Sequence, residues 1–182
     1  MEGSVQMMKH FRRYLSKPNW HNLRTLQPLS REFGFDRGTP IDRVYIEDFL
    51  NKHTSDMRGV LCEIADSTYS DQFANKKVVD NIEVLHYTND NLAATIIGDL
   101  TAINTLPKDK IDCFIVTQTL NFIEDAPQAV AGIHHILAPK GVALITVAGL
   151  CQISRYDMDR WGDYWRFTDL SLRNMLEKVF GK

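Results

Sequence analysis

No stretch of this 182-residue chain is apolar for long enough to cross a bilayer. The longest apolar run in its C-terminal half, residues 142–150, falls well short of the roughly 20 residues a spanning helix needs. The N-terminal segment has no apolar core of the signal-peptide kind. We therefore expect no membrane insertion and a cytoplasmic setting. An excess of one charge is missing too. The formal net charge of −2 gives no reason to expect a nucleic acid or an anionic membrane as partner. Cysteine is scarce: Cys62, Cys113 and Cys151 are an odd, scattered set without metal-ligand spacing. Cys62 and Cys113 fall inside expected strands, so they read as buried thiols in a reducing compartment, not as a disulfide or a nucleophile. No Gly-x-Gly-x-x-Gly occurs, which argues against a dinucleotide domain of the dehydrogenase type, because that loop brings a helix N-terminus to the pyrophosphate. Repeats, low-complexity segments, a phosphate loop, zinc spacing and a Ser/His/Asp order are absent as well.

What is present is an alternation of apolar strands and helices. Residues 1–38 read as an N-terminal extension, polar and aromatic. Met7, Met8, Phe11 and Leu15 could share one face of a short helix that Pro18 ends, and Lys9, Arg12 and Arg13 read as a solvated face. The domain proper is expected over residues 39–182. Thr39 suits a helix N-cap, Pro40 the first helical position, and Asp42 the first turn. The stripe Ile41, Val44, Tyr45, Phe49, with Ile46 beside it, carries that helix to about His53. Strands are expected from Gly59 to Ile64, within residues 77–85, over residues 94–97, from Ile111 to Thr117, and over residues 142–147. A helix capped by Asp125 lies between the last two and stops before Pro139, and a final helix starts near Thr168. The run 111–147 is one βαβ unit, which builds a parallel sheet, so the fold class is α/β with a doubly wound, mostly parallel sheet. Only a dozen or so residues separate the first two strands, so the helix between them must be short. The link from the second strand to the third leaves little room for a helix; either it is an unusually lean crossover or the strand limits shift by a few residues.

Ligands on such sheets lie beyond the carboxyl ends of the strands, so the run Gln118 to Asn121 is expected to line a site. Three acids stand near strand ends: Glu63, Glu83 and Asp99. In nucleoside-binding α/β domains, a carboxylate about twenty residues after the first strand takes hydrogen bonds from ribose hydroxyls, and Glu83 has that spacing from Glu63. Asp99, in Ile-Ile-Gly-Asp-Leu, is expected at the pocket mouth, with Gly98 allowing close approach of backbone and ligand. His86 lies near the ribose end. His134 and His135 fall mid-helix on an outer face.

Gly98-Asp99-Leu100, the run Thr117-Gln118-Thr119-Leu120-Asn121-Phe122-Ile123-Glu124-Asp125, and Leu137-Ala138-Pro139-Lys140-Gly141-Val142 resemble the class I S-adenosylmethionine-dependent methyltransferases, over roughly residues 59–180. The nearest likeness is to the branch that includes quinone-biosynthesis enzymes. The runs from Phe33 to Arg43, from Gln152 to Asp157 and from Trp161 to Thr168 look like bacterial members associated with glycan or polysaccharide assembly. The resemblance implies the Rossmann-like class I sheet, and S-adenosylmethionine as cofactor. It implies that Glu63 organises the methionine end with the backbone near Ala65 and Asp66 beneath it, and that Glu83 holds the ribose. Asp99 would face the adenine amine, the Leu100 amide a ring nitrogen, and Gln118 the sulfonium, while Tyr45 closes the pocket from above. Two departures stand out. The family's Gly-x-Gly after the first strand is Ala65-Asp66-Ser67 here, and no sequence remains for the family's last two strands. Either this is a piece of a longer chain or its sheet ends early, which leaves strand five as an edge and makes a homodimer an expectation.

The segment 155–166 follows strand five and combines Tyr156, Trp161, Tyr164 and Trp165 with Asp157, Asp159 and Asp163. Aromatic plates beside carboxylates suit a sugar or other small hydroxyl-bearing acceptor; alternatively Trp161 and Trp165 pack the segment onto the core. Asp157, Tyr156 and Asn121 are the candidate catalytic groups, and the sequence does not choose among them. A methyltransferase acting on a small-molecule or glycan-linked hydroxyl is the leading expectation. A non-catalytic binding or scaffolding domain that lost its glycine loop is the alternative.

Overall fold

The computed structural model describes residues 26–27 and 30–181. The helix expected over Met7, Met8, Phe11 and Leu15, and the basic cluster Lys9, Arg12 and Arg13, lie outside the described residues. The chain divides into two units, residues 1–41 and 42–182. In the first, the described residues form one 3₁₀ turn, Phe35–Arg37, entered through Gly34 in the left-handed region (φ 91°). Among the described residues no helix is long and apolar enough to cross a membrane.

The second unit is built on five parallel strands: β1 (Gly59–Ile64), β2 (Val79–His86), β3 (Ile96–Ile97), β4 (Ile111–Thr117) and β5 (Leu137–Thr146), in the order β3-β2-β1-β4-β5. Five helices accompany them: α1 (Ile41–Lys52), α2 (Thr68–Phe73), α3 (Ala126–Ile136), α4 (Arg155–Met158) and α5 (Asp169–Phe180). Leu61, Cys113, Ile115 and Leu144 pack one sheet face against Ile46 and Leu50 of α1 and Tyr69 of α2. Cys62, Leu85, Phe114 and Val116 pack the other against Val130, Ile133 and Ile136 of α3, with Leu172, Met175, Leu176 and Val179 of α5 alongside. A strand buried on both faces must be apolar throughout, which is why β4 reads Ile-Asp-Cys-Phe-Ile-Val-Thr with no clean alternation. Cys62 and Cys113 therefore face opposite sides of the sheet and cannot bridge. Burial pushes both thiols up to about 12.

Local chemistry sets the helix limits as expected in two places. Asp125 accepts from the Gln128 amide at 3.0 Å and Pro127 sits in the first turn of α3. Thr168 and Ser171 form a reciprocal cap on α5. Helix α2 is short, six residues, as the spacing of β1 and β2 requires.

Three expectations are corrected. The buried stripe of α1 is Ile46 and Leu50, with Phe49 beside it; Ile41, Val44 and Tyr45 are exposed. Strand β3 is only Ile96–Ile97, and its link to β2 carries no helix. Thr95 replaces the missing ladder: its amide donates to the Val84 carbonyl (2.9 Å) and its hydroxyl accepts from the Val84 amide (2.9 Å). The crossover is thus the lean one. Strand β5 starts directly at the end of α3. Pro139-Lys140-Gly141, expected as a turn before it, lies within β5 as an irregularity, where the pairing shifts between Ile111 and Cys113 and Lys140 takes φ 69°.

Candidate active site

A cleft of about 1320 Å³ opens along the carboxyl ends of four strands. Ile64 and Ala65 follow β1, Leu85, His86 and Tyr87 end β2, Gly98 to Thr101 follow β3, and Thr117 to Thr119 end β4. The sheet order reverses between β1 and β4, and that reversal leaves a crevice where the two crossovers diverge.

Four residues expected at the cofactor line this cleft: Ala65, Asp99, Leu100 and Gln118. Ala65 stands at φ 70°, the left-handed region where a glycine would fit without a Cβ clash. The loop therefore keeps the backbone turn that the missing glycine would have made. Its amide donates to the Leu85 carbonyl (3.0 Å), and its carbonyl accepts from Asn91 Nδ2 (2.6 Å). Asp99 Oδ1 accepts from the amide and the hydroxyl of Thr101, both at 2.8 Å, which fixes the carboxylate beside the Leu100 amide. Gly132 of α3 seats this loop: a Cβ there would lie 2.0 Å from the Leu100 carbonyl oxygen. Gly98 has a second reason beside the one expected. A Cβ on it would meet Leu106 and the Thr105 carbonyl, so close packing of the protein by itself already demands the glycine. Gln118 also takes a positive φ (50°), held by its amide donating to the Thr146 carbonyl of β5 at 2.9 Å.

Glu63, Glu83 and Tyr45 stand elsewhere. Glu63 is 3% exposed and turned beneath α2, where its carboxylate accepts from the Tyr69 amide (3.1 Å), the Ser70 amide (2.8 Å) and the Ser70 hydroxyl (2.8 Å). It satisfies the helix N-terminus, and burial outweighs these bonds to push its carboxyl up. Glu83 pairs in register with Cys62, short of the strand end, and meets Lys110 Nζ at 2.7 Å; that lysine holds its carboxyl below the usual range. Tyr45 is 71% exposed and is not among the residues lining the cleft.

The outer wall comes from residues 152–166. Asp157, Arg160, Trp161, Tyr164 and Trp165 line it. This strap is closed on itself by Arg166, whose Nη1 and Nη2 reach the two oxygens of Asp163 (2.6 and 2.9 Å), while Asp163 also accepts from the Ser154 amide at 3.0 Å. It is fastened to the segment after β4: the Tyr164 and Trp165 amides donate to the Asn121 carbonyl (2.9 and 3.3 Å), and Trp165 Nε1 donates to the Ile123 and Glu124 carbonyls (3.0 Å each). Trp161 is 53% exposed, so packing onto the core is not its role. Of the three candidate catalytic groups, Asp157 faces the cleft. Tyr156 lies outside its lining with Arg160 stacked 3.5 Å over the ring, and Asn121 is buried behind the lining with Oδ1 unpartnered. Arg43, which donates to the Tyr69 hydroxyl at 2.8 Å, and Arg160 are cleft residues that the sequence did not single out. Nothing in periodicity marks a helix-borne arginine as reaching a distant strand end.

Residues 67–145 match the family described as a methyltransferase domain. The fold is shared with a SAM-dependent methyltransferase from Archaeoglobus fulgidus (TM-score 0.56, 10% identity, 81% of this chain and 71% of that chain covered). It is shared equally with an S-adenosylmethionine-dependent methyltransferase from Mesorhizobium loti (0.54, 16%, 75% and 78%) and with the [4+2]-cyclase SpnF (0.54, 16%, 77% and 57%). No curated protein matches the sequence. The match to the methyltransferase-domain family covers less than half of the chain, and the sheet has the class I, Rossmann-like methyltransferase fold. The donor set fits S-adenosylmethionine, the group named for the Archaeoglobus and Mesorhizobium neighbours, because a carboxylate acceptor and an adjacent backbone amide donor on Asp99 and Leu100 complement an adenine edge.

Proposed function

We propose that this chain transfers a methyl group from S-adenosylmethionine to a small-molecule or glycan-linked hydroxyl. The observation that carries the reading is one continuous cleft that joins Asp99, Leu100, Ala65 and Gln118 to a wall of Asp157, Trp161, Tyr164 and Trp165. Asp99 would take the adenine amine, the Leu100 amide a ring nitrogen, and Ala65 and Gln118 would flank the methionine end. S-adenosylmethionine, when bound, supplies a methyl already activated by a positive sulfur. What remains for the protein is to align the acceptor and to keep water out. Trp161 and Trp165 offer flat apolar surface, and Asp157, whose carboxylate has no hydrogen-bond partner among the described residues, is placed to accept the acceptor's proton. Tyr156 and Asn121 support that wall from outside the lining. SpnF, named as a cyclase, is a reminder that this fold hosts more than one reaction, so the acceptor chemistry rests on the strap alone.

Calorimetry with S-adenosylhomocysteine tests the cofactor half. Loss of a hydrogen bond to a charged group costs about 1.5–3 kcal/mol, so Asp99→Ala should weaken binding roughly ten- to a hundredfold. Unchanged affinity removes the adenine assignment. A transfer screen over sugars, sugar nucleotides and small phenols tests the acceptor half. Asp157→Ala should abolish transfer while S-adenosylhomocysteine affinity stays within about threefold. The alternative, a non-catalytic binding or scaffolding domain, draws on the withdrawal of Glu63 into the fold, and absence of binding by the unmodified chain would favour it.

A further inference from the structure

We infer that His86, and no carboxylate, receives the ribose hydroxyls of the nucleoside in this chain; the inference rests on the cofactor reading above. The acid with the expected spacing, Glu83, is 7% exposed, bound to Lys110 and outside the cleft. The next acid along the chain, Asp90, accepts from the Thr88 hydroxyl and does not line the cleft either. Asp66, after β1, caps the Thr68 amide at 2.9 Å and is also outside the lining. The carboxyl end of β2 therefore presents no acid to a ligand.

His86 is the last residue of β2 and stands in the row between the two ends of the site. On one side the Ala65 amide bonds to the Leu85 carbonyl (3.0 Å). On the other the Gly98 amide bonds to the His86 carbonyl (3.0 Å), and Asp99 follows directly. A nucleoside with its base at Asp99 and Leu100 and its thioether near Ala65 and Gln118 must pass its sugar between them, over His86. The ring is already oriented. Nδ1 lies 2.9 Å from the Thr88 carbonyl oxygen, 3.2 Å from the Thr88 amide that donates to it and 3.8 Å from the Asp90 carboxylate, and these contacts hold that edge of the ring to the chain. Nε2 is left with no hydrogen-bond partner among the described residues. The side chain is 15% exposed and lines the cleft, and a ribose hydroxyl, which both donates and accepts, can pair with Nε2 in either ring tautomer. An imidazole there meets the ribose hydroxyls without adding a negative charge beside the sulfonium.

The test compares S-adenosylhomocysteine with its 2′,3′-dideoxy analogue by calorimetry on four proteins: unmodified, His86→Ala, His86→Asn and Glu83→Gln. The unmodified chain should prefer the hydroxylated ligand about tenfold. In His86→Ala that preference should vanish, through loss of affinity for S-adenosylhomocysteine only, and His86→Asn, which restores an acceptor, should recover part of it. Glu83→Gln should keep the full preference even if its melting temperature falls, because the ratio of two ligands on one protein is insensitive to a uniform loss of stability. If His86→Ala does not fold, His86→Phe carries the same comparison. A preference that survives without His86, or disappears in Glu83→Gln, overturns the inference. Binding of neither ligand by the unmodified chain overturns the cofactor reading and this inference with it, whereas tight binding of both with equal affinity leaves the cofactor reading standing and overturns only the assignment of His86.

Discussion

Ala65 holds a left-handed backbone that costs a residue with a Cβ about 1–2 kcal/mol relative to glycine, partly offset by the entropy glycine loses on folding. Ala65→Gly should therefore raise stability by about 0.5–1 kcal/mol in a denaturant titration, and lower stability would show that the Ala65 methyl packs usefully. The two carboxylates that the sequence placed at the cofactor respond to pH in opposite senses. The Glu63 carboxyl is pushed up in the folded protein, so the native state binds the extra proton; its contribution falls as pH rises from the ordinary carboxyl value through the raised one. Glu83 is held down by Lys110, so its contribution is present above the ordinary value and is lost as pH falls through the depressed one. Glu83→Gln should accordingly be less stable at neutral pH and lose less of its stability on acidification, as followed by melting temperature against pH. Both acids were legible as acids near strand ends. What sequence spacing could not tell was that β2 runs three residues beyond Glu83, and that the amides of α2 need an acceptor that Glu63 is best placed to be.

Among the elements, α3 and the strap do the positioning. The Cβ of an alanine at residue 132 would collide with the Leu100 carbonyl, so Gly132→Ala must push α3 away from the Asp99-Leu100 loop. A loss of about 1–3 kcal/mol, as for other overpacked sites, should come with weaker S-adenosylhomocysteine binding; a loss of stability with unaltered binding would mean that the loop follows the helix intact. Asp163 is held below the usual carboxylate range by Arg166, and this pair closes the strap. Asp163→Ala should speed amide hydrogen exchange across residues 152–166 while leaving β4 protected, and uniform exchange across both would place the strap in the global unfolding unit. Trp161→Ala should shift stability by no more than about 0.5 kcal/mol, as expected of a surface side chain, where a buried aromatic would cost about 3–5. The strap's composition made it visible in the sequence. Its fastening to Asn121 through main-chain bonds did not show, since carbonyls carry no residue code.

At the scale of the molecule, β5 pairs with β4 on one side and with no strand among the described residues on the other. An unpaired edge offers a row of amides and carbonyls to a further strand. We propose that this edge drives association between copies, seen as a molar mass that rises with concentration in light scattering; a steady monomer across a wide range would count against it. The thiols report on the same sheet. With Cys62 and Cys113 buried on opposite faces and raised to about 12, a thiol reagent at neutral pH should titrate one group per native chain, Cys151, and three after denaturation.

The sequence by itself determined the α/β class, four of the five strands to within a residue or two, the cap of α3 and the start of α5, and the cleft positions of Asp99, Leu100 and Gln118. These follow from local rules: apolar runs, capping side chains, and the placing of ligands at the carboxyl ends of parallel strands. Only the tertiary structure decided which of several carboxylates meets solvent in the cleft, because that depends on register between strands distant in sequence and on which lysine or helix terminus claims each acid first. It decided in the same way that Ile46 and Leu50, not Val44 and Tyr45, face the sheet. Both stripes have helical spacing, and the choice between them belongs to the surface against which the helix packs.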